Sequence, residues 1–380
     1  MNALRHFLIL SISFGVILLA NKHSNAKSFL DSLQFQVSTG IGKTFKHSTK
    51  MDFPFSDYTY GASLNIAYQT TGKKAWHQSS HFPKVGVNLH FIDYRNPLLG
   101  KGVGISPTLI LPIFNTNSWS SELYLGMGFG WVTKPHDRNN QNNLAIGSHF
   151  NNFSDIQFDV NYALDDAAQH RIGAKFKFLH VSNAAFSVPN LGLNDVSLQL
   201  AYTYQPSGQV VKPEKIIPDW SWNQWWKKGR IHVKYGHAWT QKYPSFGPTY
   251  NIRGAQIMWS QPYRAFKNAQ LGYHYEYNEG VYSFLKSIYE HAGQERKHST
   301  QHSIYIGHEF RWGAFGLITQ LGGYLQKNYL NSNVIYQRLG GHIYLFEKED
   351  YCLKGMYVSA ILKTHLSVAE YAEFGIGIYF

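Results

Sequence analysis

Segments of about ten residues, in which apolar and polar side chains alternate, recur along most of the chain and limit its possible folds. In residues 119–133, for example, Leu125, Met127 and Phe129 alternate with glycines. Side chains of a β-strand point in turn to its two faces, so each segment presents one apolar and one polar face. Strands of this length and polarity are typical of transmembrane β-barrels. A soluble, secreted β-sandwich is the alternative.

The amino-terminal residues predict export. Residues 1–26 contain a short basic start, an apolar run and a small-x-small cleavage sequence, which are typical of a secretory signal peptide. No later segment has the roughly 18 consecutive apolar residues of a membrane-spanning helix. The single cysteine, Cys352, excludes an internal disulfide. The net charge of +12 suits an anionic partner, and export favours phosphorylated membrane lipid over nucleic acid.

Sixteen segments read as strands, and an even number is usual in bacterial barrels. They cover 31–44, 57–70, 82–94, 102–114, 119–133, 152–164, 168–182, 194–205, 229–241, 248–261, 265–278, 300–313, 316–329, 333–346, 352–365 and 368–380. The predicted fold is an all-β, transmembrane antiparallel β-barrel of about 16 strands. A single wide barrel is favoured over two eight-stranded barrels, because one closed sheet leaves no free edge in lipid.

The predicted strands fall into two sets. Residues 27–205 hold the first set and residues 229–380 the second, with a connector over 206–228 that contains three prolines. Proline interrupts a continuous strand, and the tryptophans of the connector suit a membrane interface or a soluble contact patch. The last strand alternates cleanly and ends at Phe380, which resembles the recognition signal of outer-membrane barrels. Only one such terminal signal is present, which also favours a single barrel.

A histidine and a serine at the end of the seventh strand suggest chemistry. His180 and Ser182 share the apolar face of that strand, whereas Lys175 and Lys177 occupy the other face. A serine hydroxyl needs a neighbouring base to become a nucleophile, and the base needs a third group to orient it. On the eighth strand, Asn194 lies on the apolar face and the adjacent aspartate on the lumen face. Asn194 is therefore the predicted orienting residue.

Strand parity predicts where this group lies in a membrane. If both termini are periplasmic, the seventh strand ends at the outer surface, and residues 183–193 and 134–143 form external loops. His180 and Ser182 would then face lipid near the outer leaflet. Thr364 to Ala369 repeats the His-x-Ser spacing, but His365 and Ser367 fall on the lumen face of their strand and are predicted to have no catalytic role.

The run His180-Val181-Ser182-Asn183-Ala184-Ala185, followed by Pro-Asn-Leu-Gly-Leu-Asn over 189–194, resembles the lipid A 3-O-deacylase (PagL-type acyloxyacyl hydrolase) family. The resemblance covers about 31–205 and implies an eight-stranded outer-membrane barrel whose Ser-His-Glu triad faces the bilayer. Ser182 would be the nucleophile and His180 the base, while Asn183 and the backbone N–H of Ala185 would form the oxyanion hole. The family's glutamate falls at Asn194 and its oxyanion glycine at Ala185. The second half resembles the C-terminal part of longer members.

The sequence thus predicts an outer-membrane serine esterase that removes an ester-linked acyl chain from lipid A or a related glycolipid, with no cofactor and no metal. Lys134 and Arg138 are candidates for contact with the phosphates of lipid A. A non-enzymatic porin or structural barrel with a decayed motif is the main alternative, and a surface adhesin is a third. The protein could be a monomer or a homodimer.

Overall fold

The computed structural model describes residues 29–46, 48–208, 228–241, 247–264, 266–348, 350–366 and 368–380. The predicted signal peptide and most of the predicted connector lie outside these residues. Within them, the chain forms two closed antiparallel barrels of eight strands each. The strands of the first barrel are β1 (Leu33–Thr44), β2 (Thr59–Gln69), β3 (Lys84–Asp93), β4 (Lys101–Asn115), β5 (Trp119–Val132), β6 (Phe150–Ala163), β7 (His170–Ser182) and β8 (Leu193–Tyr204).

The second barrel follows in the same order along the chain. Its strands are β9 (Arg230–Thr240), β10 (Tyr250–Arg264), β11 (Lys267–Asn278), β12 (Thr300–Trp312), β13 (Phe315–Gln326), β14 (Ile335–Glu347), β15 (Gly355–His365) and β16 (Val368–Tyr379). Short helices, which the sequence did not predict, occupy connections: α1 (Ala75–Ser79), α2 (Glu279–Ile288) and α3 (Glu295–His298), besides a 3-10 turn over Phe29–Ser32. No helix in the described ranges has the length and apolar character needed to cross a membrane.

The predicted single barrel of about 16 strands is wrong. β8 pairs with β1, where Phe35 lies opposite Tyr204, and β16 pairs with β9, where Ile376 lies opposite Tyr235. Each set of eight strands closes on itself, so neither barrel leaves a free edge in lipid and the edge argument does not distinguish one barrel from two. Eight strands enclose an interior that side chains alone can fill.

Polar side chains fill the middle of the first barrel. The Lys177 ammonium donates to His90 Nδ1 at 2.8 Å, and His90 Nε2 lies 3.1 Å from a carboxylate oxygen of Asp155. Lys175 contacts Gln36, whose amide donates to Asp159 at 2.9 Å. The lysines of β7 therefore point into the lumen, as strand alternation predicted.

Apolar side chains close one end of the first barrel. Loop residues Met51, Leu99 and Ile146 pack there against Phe153 and Val181 from strands β6 and β7, and all five are buried. We call this the site end, because it carries the β7–β8 connection. The cluster fixes the loops of that end relative to the last residues of β7, through the burial of contiguous apolar surface.

The two barrels contact each other at both ends. At the site end, the backbone N–H of Gln241, just after β9, donates to the carbonyl of Ala185 at 3.1 Å. At the opposite end, the indole of Trp312 donates to the hydroxyl of Ser80 at 3.1 Å. The connection between β7 and β8 in the first barrel is therefore held partly by the second.

Candidate active site

The outer face of β7 and β8 is apolar except near the site end. Phe176, Leu198 and Leu200 are exposed on that face. His180 and Asn194 continue the same face and are partly buried, in agreement with the predicted parity. A polar pair at the end of an exposed apolar surface would lie at the boundary between hydrocarbon and headgroups if that surface faces lipid.

His180 and Asn194 form the central hydrogen bond of the candidate site. They lie directly opposite each other in the β7–β8 pair. His180 Nδ1 is 2.7 Å from Asn194 Oδ1. An amide oxygen only accepts hydrogen bonds, so Nδ1 carries a proton, and in the neutral ring Nε2 has the lone pair. This is the tautomer that a general base requires.

Ser182 lies two residues beyond His180, on the same face, and is buried with 8 % of its surface exposed. Gly192, the turn residue before β8, packs against both side chains. A Cβ added to Gly192 would lie 3.0 Å from His180 Cε1 and 3.4 Å from Ser182 Cβ. The backbone of Gly192 has a φ of +82°, which favours glycine. The turn thus brings bare backbone against the histidine and the serine.

The connection after Ser182 has an unusual backbone. Ala184 and Ala185 have φ values of +53° and +63°, in the left-handed region. Non-glycine residues are strained there, so surrounding contacts must hold them in this conformation. Among the described residues, no acceptor takes the N–H of Ala185.

Asn183 fixes the same connection. Its side-chain amide donates to Ser148 Oγ at 2.8 Å and to the Ser187 carbonyl at 2.9 Å. Its backbone N–H donates to Asn190 Oδ1 at 3.1 Å. The predicted oxyanion residues are thus adjacent to Ser182, but the donors of Asn183 are engaged and the N–H of Ala185 is not.

Three further residues near the site escaped the sequence analysis. On β6, Asn152 lies opposite Ser182 and Ser154 lies opposite His180, and the Ser154 hydroxyl donates to Asn152 Oδ1 at 2.6 Å. In the β1–β2 connection, the N–H of Phe45 donates to the Asn194 carbonyl at 3.0 Å. The parity of Asn152 and Ser154 could have identified them, since they share the outward face of β6 with apolar residues.

Two residues that strand parity excluded from the candidate active site lie away from it. Asp195 is buried in the lumen, where it accepts hydrogen bonds from Thr44 at 3.0 Å and Thr59 at 2.8 Å. His365 lies in the second barrel, where its Nε2 is 2.8 Å from the Tyr324 hydroxyl. Ser367, predicted to accompany it, lies outside the described residues.

The candidate phosphate-binding residues occupy the β5–β6 connection at the site end. The Lys134 ammonium donates to the Pro97 carbonyl at 2.9 Å, and the Arg138 side chain is exposed. Lys134 therefore helps to hold two loops together, whereas Arg138 is oriented toward solvent. In the parts of the chain that the structure describes, no group of His, Cys, Asp or Glu has the arrangement of a metal site.

Each of the two barrels matches a known protein family. Residues 58–203 match the family described as lipid A 3-O-deacylase (PagL), and residues 227–380 match the family described as acyloxyacyl hydrolase, C-terminal domain. No curated protein matches the sequence significantly. Among solved structures, the outer membrane enzyme PagL is similar, with 19 % identity, 44 % of this chain and 98 % of that chain covered, and a TM-score of 0.32. Neisserial surface protein A is also similar, with 10 % identity, 46 % and 97 % covered, and a TM-score of 0.32. The chain therefore carries a lipid A 3-O-deacylase (PagL) domain as its first barrel and an acyloxyacyl hydrolase C-terminal domain as its second.

Proposed function

We propose that the first barrel is an outer-membrane serine esterase that removes an ester-linked acyl chain from lipid A or a related glycolipid. Membership of a family of ester hydrolases supports the reaction class. The observation that carries the proposal is the 2.7 Å contact between His180 and Asn194, with Ser182 beside His180 on the same outward face. Base, orienting group and nucleophile are then in the order that acyl transfer requires.

The reaction proceeds in two acyl transfers. Ser182 Oγ attacks the ester carbonyl while its proton passes to His180 Nε2, and the tetrahedral adduct then expels the sugar alkoxide, which takes that proton. A water molecule attacks the resulting acyl-serine in the same way and releases the fatty acid. Asn194 Oδ1 accepts a hydrogen bond from the Nδ1–H of His180 throughout and so holds the ring in position.

The oxyanion forms next to the β7–β8 connection. The first oxyanion donor is the N–H of Ala185. It is available to the developing negative charge because no described residue accepts a hydrogen bond from it. The amide of Asn183 is the second donor, and it reaches the oxyanion by releasing Ser148 Oγ, which it contacts at 2.8 Å. Backbone and amide donors of this kind stabilise an oxyanion strongly in a site shielded from water.

The surroundings suit a lipid substrate. Exposed Phe176 and Leu198 extend the apolar face below the site. Phe45 and Phe178 have ring centroids 6.4 Å apart next to His180, and they offer contact surface for the first carbons of an acyl chain. Arg138, exposed on the β5–β6 connection, is the proposed phosphate contact. The site then faces the outer leaflet, with its apolar part in hydrocarbon and its cationic part among the headgroups.

The non-enzymatic porin has less support. A pore needs an open lumen, whereas Lys175 and Phe153 in the first barrel and Arg338 and Lys363 in the second have fully buried side chains. These side chains cross the interiors of barrels that are narrow because each has only eight strands.

Lipid A composition tests the proposed function. Wild type and Ser182→Ala are expressed in an outer membrane of defined lipid A, and acyl content is read by mass spectrometry. Wild type is expected to yield lipid A that lacks one acyl chain, and Ser182→Ala is expected to leave it intact. Identical lipid A from both, with both barrels shown to be folded, would exclude the esterase.

Asn194→Glu is expected to raise kcat roughly 5- to 10-fold. A hydrogen bond to a charged acceptor is stronger than one to a neutral acceptor by about 1 kcal/mol, and His180 gains that stabilisation as it becomes an imidazolium. Turnover of a lipid A analogue in mixed micelles gives kcat. Asp195→Asn, which changes a residue in the lumen, is the control and is expected to leave kcat near the wild-type value. A fall in kcat for Asn194→Glu would contradict the role of Asn194 in orienting His180.

Gly192→Ala is expected to lower kcat roughly 10- to 100-fold, because the new methyl group would crowd His180 Cε1 at 3.0 Å and small displacements of catalytic groups are costly. Gly293→Ala is the matched control. Gly293 has a similar φ of +81°, but an added Cβ there meets nothing within 4 Å. Both variants carry the same backbone strain, so only Gly192→Ala should lose activity. Equal losses would show that strain alone is responsible.

A further inference from the structure

We propose that Gln241 of the second barrel is a positioning residue for the candidate active site of the first, so that hydrolysis requires both barrels. The inference rests on the proposed function and adds a role for the acyloxyacyl hydrolase C-terminal domain. Gln241 follows β9 directly and lies against the connection that leaves Ser182. Its neighbour Thr240 contacts the same connection.

Four hydrogen bonds join this pair to the connection. The backbone N–H of Gln241 and the hydroxyl of Thr240 donate to the Ala185 carbonyl, at 3.1 and 3.4 Å. The side-chain oxygen of Gln241 accepts from the Val188 N–H at 3.3 Å and from the Ser187 hydroxyl at 3.2 Å, which shares its proton with the Gly147 carbonyl at 2.8 Å. The segment that carries the proposed oxyanion donor is therefore held from outside its own barrel.

The side chain of Gln241 is itself fixed. Its amide nitrogen donates to the Gly247 carbonyl at 2.6 Å, within the β9–β10 connection. The amide oxygen is thereby directed to Ser187 and Val188 instead of rotating freely. A side chain anchored at one end of its amide and bound at the other behaves as a rigid clamp.

The backbone of Ala185 explains why a clamp matters. With φ at +63°, Ala185 is in a conformation that costs about 1–2 kcal/mol for a residue with a Cβ. Its carbonyl is held by the second barrel, and φ and ψ together link that carbonyl to the orientation of its own N–H. Bonds to the Ala185 carbonyl and to Val188 therefore set the direction in which the oxyanion donor points. Without them, relaxation of Ala184 and Ala185 toward negative φ would turn the N–H away from Ser182.

Gln241→Ala tests the clamp in the full-length protein. We expect kcat for a lipid A analogue to fall roughly 10-fold or more with little change in KM, because the donor is misplaced and lipid binding is not. Ser80→Ala is the matched control, since it removes the Trp312–Ser80 hydrogen bond at the opposite end of the same barrel contact. It is expected to keep wild-type kcat.

Two further variants show whether the effect acts through Ala185. Gln241→Glu keeps an oxygen acceptor for Ser187 and Val188 but loses the donor to the Gly247 carbonyl, so it is expected to recover only part of kcat. Ala185→Gly added to Gln241→Ala is expected to recover part of it, because glycine adopts a φ of +63° without strain. Recovery by a second substitution also excludes simple misfolding as the cause of the loss.

Hydrogen exchange separates this inference from the proposed function. The Val188 amide is expected to exchange faster in Gln241→Ala than in wild type and Ser80→Ala. If wild type hydrolyses lipid A and Ser182→Ala does not, unchanged kcat in Gln241→Ala would overturn the clamp. So would an equal loss in Ser80→Ala. If wild type has no hydrolytic activity, the proposed function fails, and unchanged exchange at Val188 would then overturn the clamp as well.

Discussion

Ser182→Ala and His180→Ala should each lower kcat by about 10³- to 10⁶-fold, and the double variant should be no worse than either single one. The two groups act as a unit, because the hydroxyl is not activated without the imidazole and the imidazole has no proton to accept without the hydroxyl. Such losses are therefore far from additive. Turnover of a lipid A analogue by the three variants, at matched amounts of folded protein, gives the comparison.

The expected loss is large because the bond between Ser182 Oγ and the ester carbonyl carbon forms in the reaction itself. Residual activity in each variant would come from binding and from the oxyanion donors near Ala185. Losses that multiply in the double variant would contradict the account, since they would mean that His180 and Ser182 contribute through separate steps. His365→Ala, which removes the histidine of the repeated motif in the second barrel, is the control and should keep wild-type kcat.

Glu373→Ala should destabilise the second barrel by about 3–5 kcal/mol. The Glu373 carboxylate is almost fully buried, where it accepts a hydrogen bond from the Arg338 guanidinium at 2.7 Å and forms an ion pair with the Lys234 ammonium at 2.5 Å. Removing one member of a buried charge cluster leaves the others without compensation, and that desolvation cost is large. The substitution leaves two cations without their shared carboxylate inside a narrow barrel.

Urea-induced unfolding in lipid vesicles, followed by hydrogen exchange of the β9 and β16 amides, measures this loss. Glu295→Ala is the matched control. Glu295 pairs with Lys286 at 3.9 Å in the α2–α3 connection, where the lysine side chain is 57 % exposed. Surface pairs of this kind contribute less than about 1 kcal/mol. If both variants shift the transition equally, the buried charges do not stabilise the second barrel as the contacts indicate.

Strand alternation was sufficient to predict the faces of the candidate site. Lys175 and Lys177 have odd positions and His180 an even one, so they lie on opposite faces of β7. The structure has the two lysines in the lumen and His180 on the exterior, as this rule predicts, because a strand has only two faces. The same rule excluded Asp195, which the structure shows in the lumen. The strength of the signal comes from the clean contrast between buried polar and exposed apolar positions on β7 and β8.

Barrel closure could not be read from alternation. An alternating strand looks the same in a barrel of eight strands or sixteen, and closure depends on which strand meets β1. The pairing of β8 with β1 brings together residues far apart in sequence, such as Phe35 and Tyr204, for which the sequence has no local signal. The prolines of the predicted connector interrupt the strand pattern after β8, but they do not indicate whether the first sheet has already closed.

The contacts that loops make in the candidate site could not be predicted from the sequence either. Gly192 lies against His180 because the β7–β8 connection packs on the β5–β6 connection, where the Gly192 N–H donates to the Ala145 carbonyl at 2.9 Å. Gln241 reaches Ala185 only because two separate barrels lie side by side. Turn conformation and the packing of barrels are tertiary properties, and no periodicity within a segment encodes them.

Covalent labelling by a lipid-like phosphonate ester tests the central claim most directly. Such a probe forms a stable adduct with an activated serine, and peptide mass spectrometry identifies the residue that carries it. One adduct is expected, on Ser182, and it is lost in His180→Ala even though the serine is still present. An adduct on another serine, or labelling of Ser182 that persists without His180, would contradict the claim that Ser182, His180 and Asn194 form the active site.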